Sequence, residues 1–180
     1  MSTTIIRVLV VEDNPGDARL VREYLAQANG ATFELECVGR LAAALERLSR
    51  GGMDVILTDL QLPDSVGLET FQQLHAQAPS TAIVLLTGTI AEAHIATQAL
   101  QQGAQDFLEK GTISANDLSR ALRYAVERTR AEAALRAAHD ALQLKIGELE
   151  TLNNIMLDRE ERILELKDAL KVLQSQRTGT

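Results

Sequence analysis

Five short apolar runs alternate with helical patterns over the first 114 residues. That alternation narrows the folds open to this chain more than any other feature. The runs cover residues 5–11, 33–38, 54–59, 82–87 and 106–109. They are rich in Val, Ile and Leu and mostly lack polar alternation, as strands covered on both faces do. Between them, segments 15–29, 40–50, 67–77 and 91–102 carry apolar side chains at helical spacing, for example Val21 and Leu25, Leu41 and Leu48, Phe71 and Leu74, Ile95 and Ala99. Asn14-Pro15 reads as an N-cap followed by proline at the first helical position. Gly51-Gly52 reads as a helix stop. Strand alternating with helix in this way predicts an α/β fold, a right-handed, doubly wound parallel sheet.

Four of those runs deliver polar chemistry at their C-terminal ends. Run 5–11 leads into Glu12-Asp13, run 54–59 ends in Asp59, run 82–87 in Thr87, and run 106–109 leads into Lys110. In a parallel sheet those ends share one edge, where open α/β sheets bind ligands. Glu12, Asp13 and Asp59 suit Mg²⁺, a hard cation that takes one or two carboxylates together with phosphate oxygens and waters. A carboxylate is also a competent phosphoryl acceptor, forming an acyl phosphate. The ammonium of Lys110 offsets charge on a transferring phosphoryl group. Thr87 can donate to a phosphoryl oxygen, and Gly88 leaves room for a phosphate to enter. Any one of these residues alone would be a turn, cap or solvated side chain. Their order on successive strands is what points to phosphoryl chemistry.

Bulk properties agree. Hydrophobic residues make up 46% of the chain and aromatics 3%, so the core is aliphatic. Residues 1–114 hold 7 basic and 14 acidic side chains, and residues 115–180 hold 11 of each. An acidic body with a neutral tail argues against nucleic-acid binding, which needs a basic face. Cys37 is the single cysteine, so no disulfide forms within the chain; it is expected to be a small apolar core filler. No apolar stretch approaches the roughly 18–20 residues of a membrane span, and the N-terminus lacks a signal-peptide pattern. The expected location is cytoplasmic, with no membrane partner.

After Gly111 the pattern changes. Ser114-Ala-Asn-Asp117 offers capping residues. From there to about Gln176 there is no proline and one glycine, Gly147. Those residues can form one helix, at 1.5 Å per residue roughly 90 Å long, most of which is expected to project from the domain. Leu135, Leu142, Leu149, Met156, Ile163 and Leu170 fall seven apart. Three residues after each come Ala138, Lys145, Leu152, Arg159, Leu166 and Leu173. A heptad sustained this long reads as a coiled coil, interrupted at Lys145 and Arg159. Gly147 falls on its outer face. A parallel in-register pair brings Arg162 near Lys167 of the other chain, which is mildly unfavourable.

Four stretches then carry a resemblance: Val10-Val-Glu-Asp-Asn-Pro-Gly-Asp17, Val55-Ile-Leu-Thr-Asp-Leu-Gln-Leu-Pro-Asp64, Val84-Leu-Leu-Thr-Gly88 and Gly103-Ala-Gln-Asp-Phe-Leu-Glu-Lys110. In order and spacing they resemble the receiver domains of two-component response regulators, over about residues 5–128. The resemblance implies a flavodoxin-like five-stranded parallel sheet of order 2-1-3-4-5, a receiver over residues 1–128, and an extended helix or coiled coil over 129–180. It implies that Asp59 accepts phosphate from a histidine kinase or a histidine phosphotransfer protein. Mg²⁺ would be held by Glu12, Asp13, Asp59 and the backbone carbonyl of Gln61. Thr87 and Lys110 would engage the phosphoryl group, Thr87 and Phe107 would act as the switch pair, and Gln61 and Thr89 would tune acyl-phosphate lifetime. The sequence departs from the family pattern at Gly111, where proline is usual and whose absence predicts a looser Lys110 loop, and at Val66, where an acidic or amide residue is common. Transcriptional members of the family continue into a DNA-binding domain, and none is expected within residues 129–180.

The function expected is a phosphorylation-controlled regulator. Its output is homodimerisation or partner binding through the coiled coil, with self-phosphorylation and acyl-phosphate hydrolysis as its only catalysis. An alternative is a regulatory receiver-linker fragment of a larger hybrid histidine kinase or cyclic-dinucleotide enzyme. A constitutive coiled-coil scaffold with a silent receiver is a third reading, disfavoured by intact Asp59, Thr87 and Lys110.

Overall fold

The computed structural model of the chain describes residues 5–28 and 30–177, with the side chains of Ile90 and of residues 171–177 outside the description. Leu173, a seam position in the heptad above, is among those outside it. In chain order the elements are β1 (Ile5–Val11), α1 (Pro15–Ala26), β2 (Thr32–Val38), α2 (Leu41–Ser49), β3 (Val55–Asp59), β4 (Gln61–Leu62), β5 (Ser65–Val66), α3 (Leu68–Gln77), β6 (Ala82–Thr87), α4 (Ile90–Gln101), β7 (Asp106–Glu109) and α5 (Ala115–Arg177). By compactness the chain divides into two units, one ending at Ala133 and the other beginning at Ala134.

The first unit is built on a five-stranded sheet of order β2-β1-β3-β6-β7, every pair parallel. Counting only those five strands, this is the expected order 2-1-3-4-5. The uninterrupted apolar runs are explained by two cores, one on each face. Val8, Val10, Leu57 and Val84 point to the face covered by Val21 and Leu25 of α1 and Leu118 and Leu122 of α5. Leu9, Ile56, Ile83 and Leu85 point to the face covered by Leu41 and Leu48 of α2, Phe71 and Leu74 of α3, and Ala96 and Ala99 of α4. Because β1, β3 and β6 are sandwiched, both parities of side chain are mostly apolar, and the buried polar exception Thr58 is paired, its hydroxyl donating to the Asp59 carbonyl at 2.8 Å.

Edge strand β2 behaves differently. Glu34 and Glu36 alternate with half-buried Phe33 and Leu35, and ion pairs with Arg7 and Arg47 hold the acids in place. Cys37 lies on this edge and is exposed, its Sγ accepting from Arg22 Nη2 at 3.4 Å. The expectation of a core cysteine is therefore corrected: an edge strand leaves the position open to solvent.

Helix ends follow the sequence signals. Asn14 Oδ1 accepts from the Gly16 N–H at 2.9 Å ahead of Pro15. Gly51 and Gly52 take φ of 67° and 84° after α2, a region costly for other residues. Ser114 Oγ accepts from the Asp117 N–H at 3.2 Å and donates to its carboxylate at 2.6 Å, starting α5. Two features had no sequence counterpart. Residues 61–66 form a small antiparallel hairpin, β4–β5. Its Asp64 caps α2 from 23 residues away, accepting from the Leu41 and Ala42 N–H groups at 2.9 and 3.0 Å, where Arg40 at the N-cap offers no side-chain acceptor.

The second unit is the part of α5 from Ala134 onward. Its heptad residues Leu135, Leu142, Leu149, Met156, Ile163 and Leu170 are between 43% and 72% exposed in the single chain. Seam residue Lys145 pairs with Glu148 of the same helix at 2.7 Å. Ile146 and Ile155 are also exposed and flank the seam, so the apolar surface is wider than the heptad alone. Among the described residues no helix is long and apolar enough to cross a membrane.

Two stability outcomes follow from this packing. Phe71→Ala removes a fully buried ring stacked on His75 and should cost about 3–5 kcal/mol in urea unfolding; Leu149→Ala should leave the first unit's transition unchanged. Asp64→Ala should lower the urea midpoint at neutral pH. The hydrogen bonds from Ala42 and Leu41 hold the Asp64 carboxyl below the ordinary range. Its contribution is present above the unfolded value and is lost as pH falls through the folded one. The gap between wild type and variant should therefore close in acid.

Candidate functional site

The C-terminal ends of β1, β3, β6 and β7 lie side by side, as their registers require: Val11 is level with Thr58, Asp59 with Leu86, and Thr87 with Glu109. The residues that follow these ends therefore converge. Lys110 is the focus. Its Nζ donates to Glu12 Oε2 at 2.6 Å, Asp59 Oδ2 at 2.6 Å and Asp17 Oδ2 at 3.0 Å. One carboxylate oxygen from each of Glu12, Asp13 and Asp59 lies within 4.8 Å of the others.

Glu12 and Asp59 are buried and Asp13 is exposed, so the cluster opens to solvent on one side. Glu12 Oε1 accepts from the Asn14 N–H at 3.1 Å and Asp59 Oδ1 from the Gln61 N–H at 3.0 Å. Burial pushes the Glu12 carboxyl above its ordinary value; hydrogen bonds from Lys110 and the Asn14 backbone offset this only in part. Burial opposes the charge on Lys110 too, but hydrogen bonds to Asp59, Glu12 and Asp17 outweigh it and hold the ammonium above the ordinary lysine range. One ammonium thus faces four carboxylates, counting Asp13 and Asp17. That excess of hard, negative oxygens fits a divalent cation of the Mg²⁺ type.

The remaining predicted residues lie on the strands, helix start and loops of the same unit. Thr87 is buried, its hydroxyl donating to the Leu108 carbonyl at 3.4 Å, while its own carbonyl accepts from the Lys110 N–H at 2.8 Å. Phe107 is half-buried against the α2–α3–α4 core. Thr89 is the N-cap of α4, accepting from the Glu92 N–H at 3.3 Å. Gln61 is on β4, its side-chain amide donating to Glu92 Oε1 at 2.7 Å. Gly111 has open space where a Cβ would stand. Next to it, Lys110 is held by three carboxylates. Val66 is exposed on β5.

Two residues at the site were not singled out from sequence. Asp17, in the first turn of α1, is a third carboxylate on Lys110. Buried Glu92 accepts from both the Gly88 N–H and Gln61. The spacing Thr89-x-x-Glu92 is a capping-box signature that could have flagged it.

Known proteins share this arrangement's sequence and fold. Residues 8–123 match the response regulator receiver domain. The regulatory protein LuxO of Vibrio cholerae is 36% identical over 103 residues, covering 56% of this chain and 21% of that protein. The regulatory protein AtoC of Escherichia coli is 26% identical over 176 residues, 97% of this chain and 36% of its own length. The chain thus spans well under half of each of these relatives. Among solved structures, the signal receiver domain of an HD domain-containing protein from Pseudomonas fluorescens Pf-5 superposes with a TM-score of 0.63 at 24% identity, over 74% of this chain and 96% of that one. With the match extending over most of the chain and the fold agreeing, this protein belongs to the response regulator receiver family.

Proposed function

We propose that Asp59 is a phosphoryl acceptor and that its phosphorylation controls self-association of the C-terminal helix. The observation that carries the reading is the position of the Asp59 carboxylate: 2.6 Å from the Lys110 ammonium, and clustered with the carboxylates of Glu12 and Asp13. The donor is a phosphohistidine on a histidine kinase or a histidine phosphotransfer protein. An Asp59 oxygen attacks phosphorus as the phosphorus–nitrogen bond breaks, and the electron pair of that bond leaves with the imidazole. The acyl phosphate is discharged by a separate step, hydrolysis: water attacks phosphorus, the bond to the Asp59 oxygen breaks, the carboxylate leaves and inorganic phosphate is released.

Glu12, Asp13, Asp59 and the Gln61 carbonyl would hold Mg²⁺, which when bound neutralises charge on the phosphoryl oxygens. Lys110 supplies a second positive charge at Asp59 Oδ2. Thr87 exchanges its long hydrogen bond to Leu108 for a phosphoryl oxygen, and half-buried Phe107 on the neighbouring strand moves with it. Gln61 and Thr89 tune the lifetime of the acyl phosphate by admitting or excluding the hydrolytic water.

The output is assigned to residues 129–180, and a homodimer is the simplest cover for the exposed heptad stripe. α5 contributes Leu118 and Leu122 to the receiver core and continues to Arg177, so a change in the receiver has an unbroken helix to act on. The coverage of the relatives favours a second reading, in which this receiver and helix regulate further domains of a hybrid kinase or cyclic-dinucleotide enzyme.

With Mg²⁺ and acetyl phosphate, intact-mass spectrometry should show one added phosphoryl group. Asp59→Asn or excess EDTA should abolish it; an unmodified wild type would support a silent receiver. Lys110→Ala should slow phosphorylation about a hundredfold. The same variant should bind Mg²⁺ more tightly by calorimetry, because its carboxylates lose their resident cation. In sedimentation velocity, Leu149→Glu and Met156→Glu should each shift the full chain toward monomer.

A further inference from the structure

Glu92 stands in the first turn of α4 but is only 6% exposed. Both of its oxygens are used. Oε2 accepts from the Gly88 N–H at 2.5 Å and Oε1 from the Gln61 side-chain amide at 2.7 Å. None of the ion pairs among the described residues includes it. A buried carboxylate without a cation is costly unless its position serves something else.

Helix capping accounts for part of this. Thr89 and Glu92 have capping-box spacing, and Thr89 Oγ1 accepts from the Glu92 N–H. In that motif, however, the acid returns to the N–H of the cap residue itself. Glu92 instead reaches the residue before the cap and a side chain on β4. Those two donors have a common feature: Gly88 directly follows Thr87, and Gln61 is two residues after Asp59. The Gln61 backbone N–H itself donates to Asp59 Oδ1 at 3.0 Å, and Gly88 follows the end of the strand paired with the one that carries Asp59. A backbone N–H beside a residue with no side chain, and a primary amide, are the donors an entering phosphoryl group would use.

We infer that Glu92 is an internal anion that occupies the phosphoryl-oxygen donors of the resting receiver. On this account, which rests on the proposed phosphorylation of Asp59, the Gly88 N–H exchanges the Glu92 carboxylate for a phosphoryl oxygen. The displaced carboxylate loses its hold on Gln61, and the start of α4 is released with it. Glu92 is therefore a positioning residue. It sets how readily the site accepts an anion, and it couples that acceptance to α4.

The test uses the full chain with Glu92→Gln and Glu92→Ala. Phosphorylation by acetyl phosphate is followed by intact mass, and binding of beryllofluoride with Mg²⁺ by calorimetry. Removing a competing charge-assisted acceptor should raise kcat/KM for phosphorylation and tighten beryllofluoride binding, each about tenfold. Glu92→Gln, which keeps a neutral acceptor, should fall between wild type and Glu92→Ala. The direction separates this from a structural role, because a frayed α4 would weaken anion binding. If Glu92→Ala does not fold, Glu92→Gln decides. Wild-type phosphorylation on Asp59 with unchanged or slower variants would leave Glu92 as a helix cap and overturn the inference alone. A wild-type chain that takes no phosphoryl group would remove it together with the reading beneath it.

Discussion

The ammonium of Lys110 is the interaction on which the rest of the site depends. It follows β7 and binds carboxylates carried by the end of β1, the first turn of α1 and the end of β3. Three buried or half-buried acids brought this close would otherwise repel one another. The lysine makes the cluster tolerable without neutralising it, and the remaining negative charge is of the kind a divalent cation would offset. The parallel registers make this geometry possible, because they bring four strand ends to one edge.

Much of this was legible in the sequence, for physical reasons. Strands covered on both faces must be largely apolar, so β1, β3 and β6 stand out as runs of Val, Ile and Leu broken only at Arg7 and Thr58, and polar residues at their ends are conspicuous. Glu12, Asp13, Asp59, Thr87 and Lys110 were found that way. The cap at Asn14 and the start of α5 at Ser114 are local motifs, in which the donor and acceptor are a few residues apart.

What escaped depended on distance or on position in the sheet. Asp64 caps α2 across 23 residues, and no local pattern can announce that. Residue type alone points Cys37 to the core, but β2 is an edge strand and leaves it exposed. Asp17 and Glu92 look like ordinary acids in first helical turns, where the helix dipole alone would favour them. Only the fold shows that one reaches Lys110 and the other reaches Gly88 and Gln61. Both add negative charge around Asp59, so the site's electrostatics are more acidic than the motif residues alone suggest.

The two units have complementary needs. The first buries an apolar core on each face of its sheet and carries excess negative charge at one edge. The second is close to neutral, with 7 basic and 8 acidic side chains over residues 134–180, and leaves an apolar stripe exposed. The central claim is that charge at the first is read out as packing at the second. Hydrogen–deuterium exchange of the full chain, with and without Mg²⁺ and beryllofluoride, tests it most directly. The account predicts altered exchange at residues 87–92 and 107–111 together with altered protection along residues 134–177. Changes confined to the first unit would contradict it.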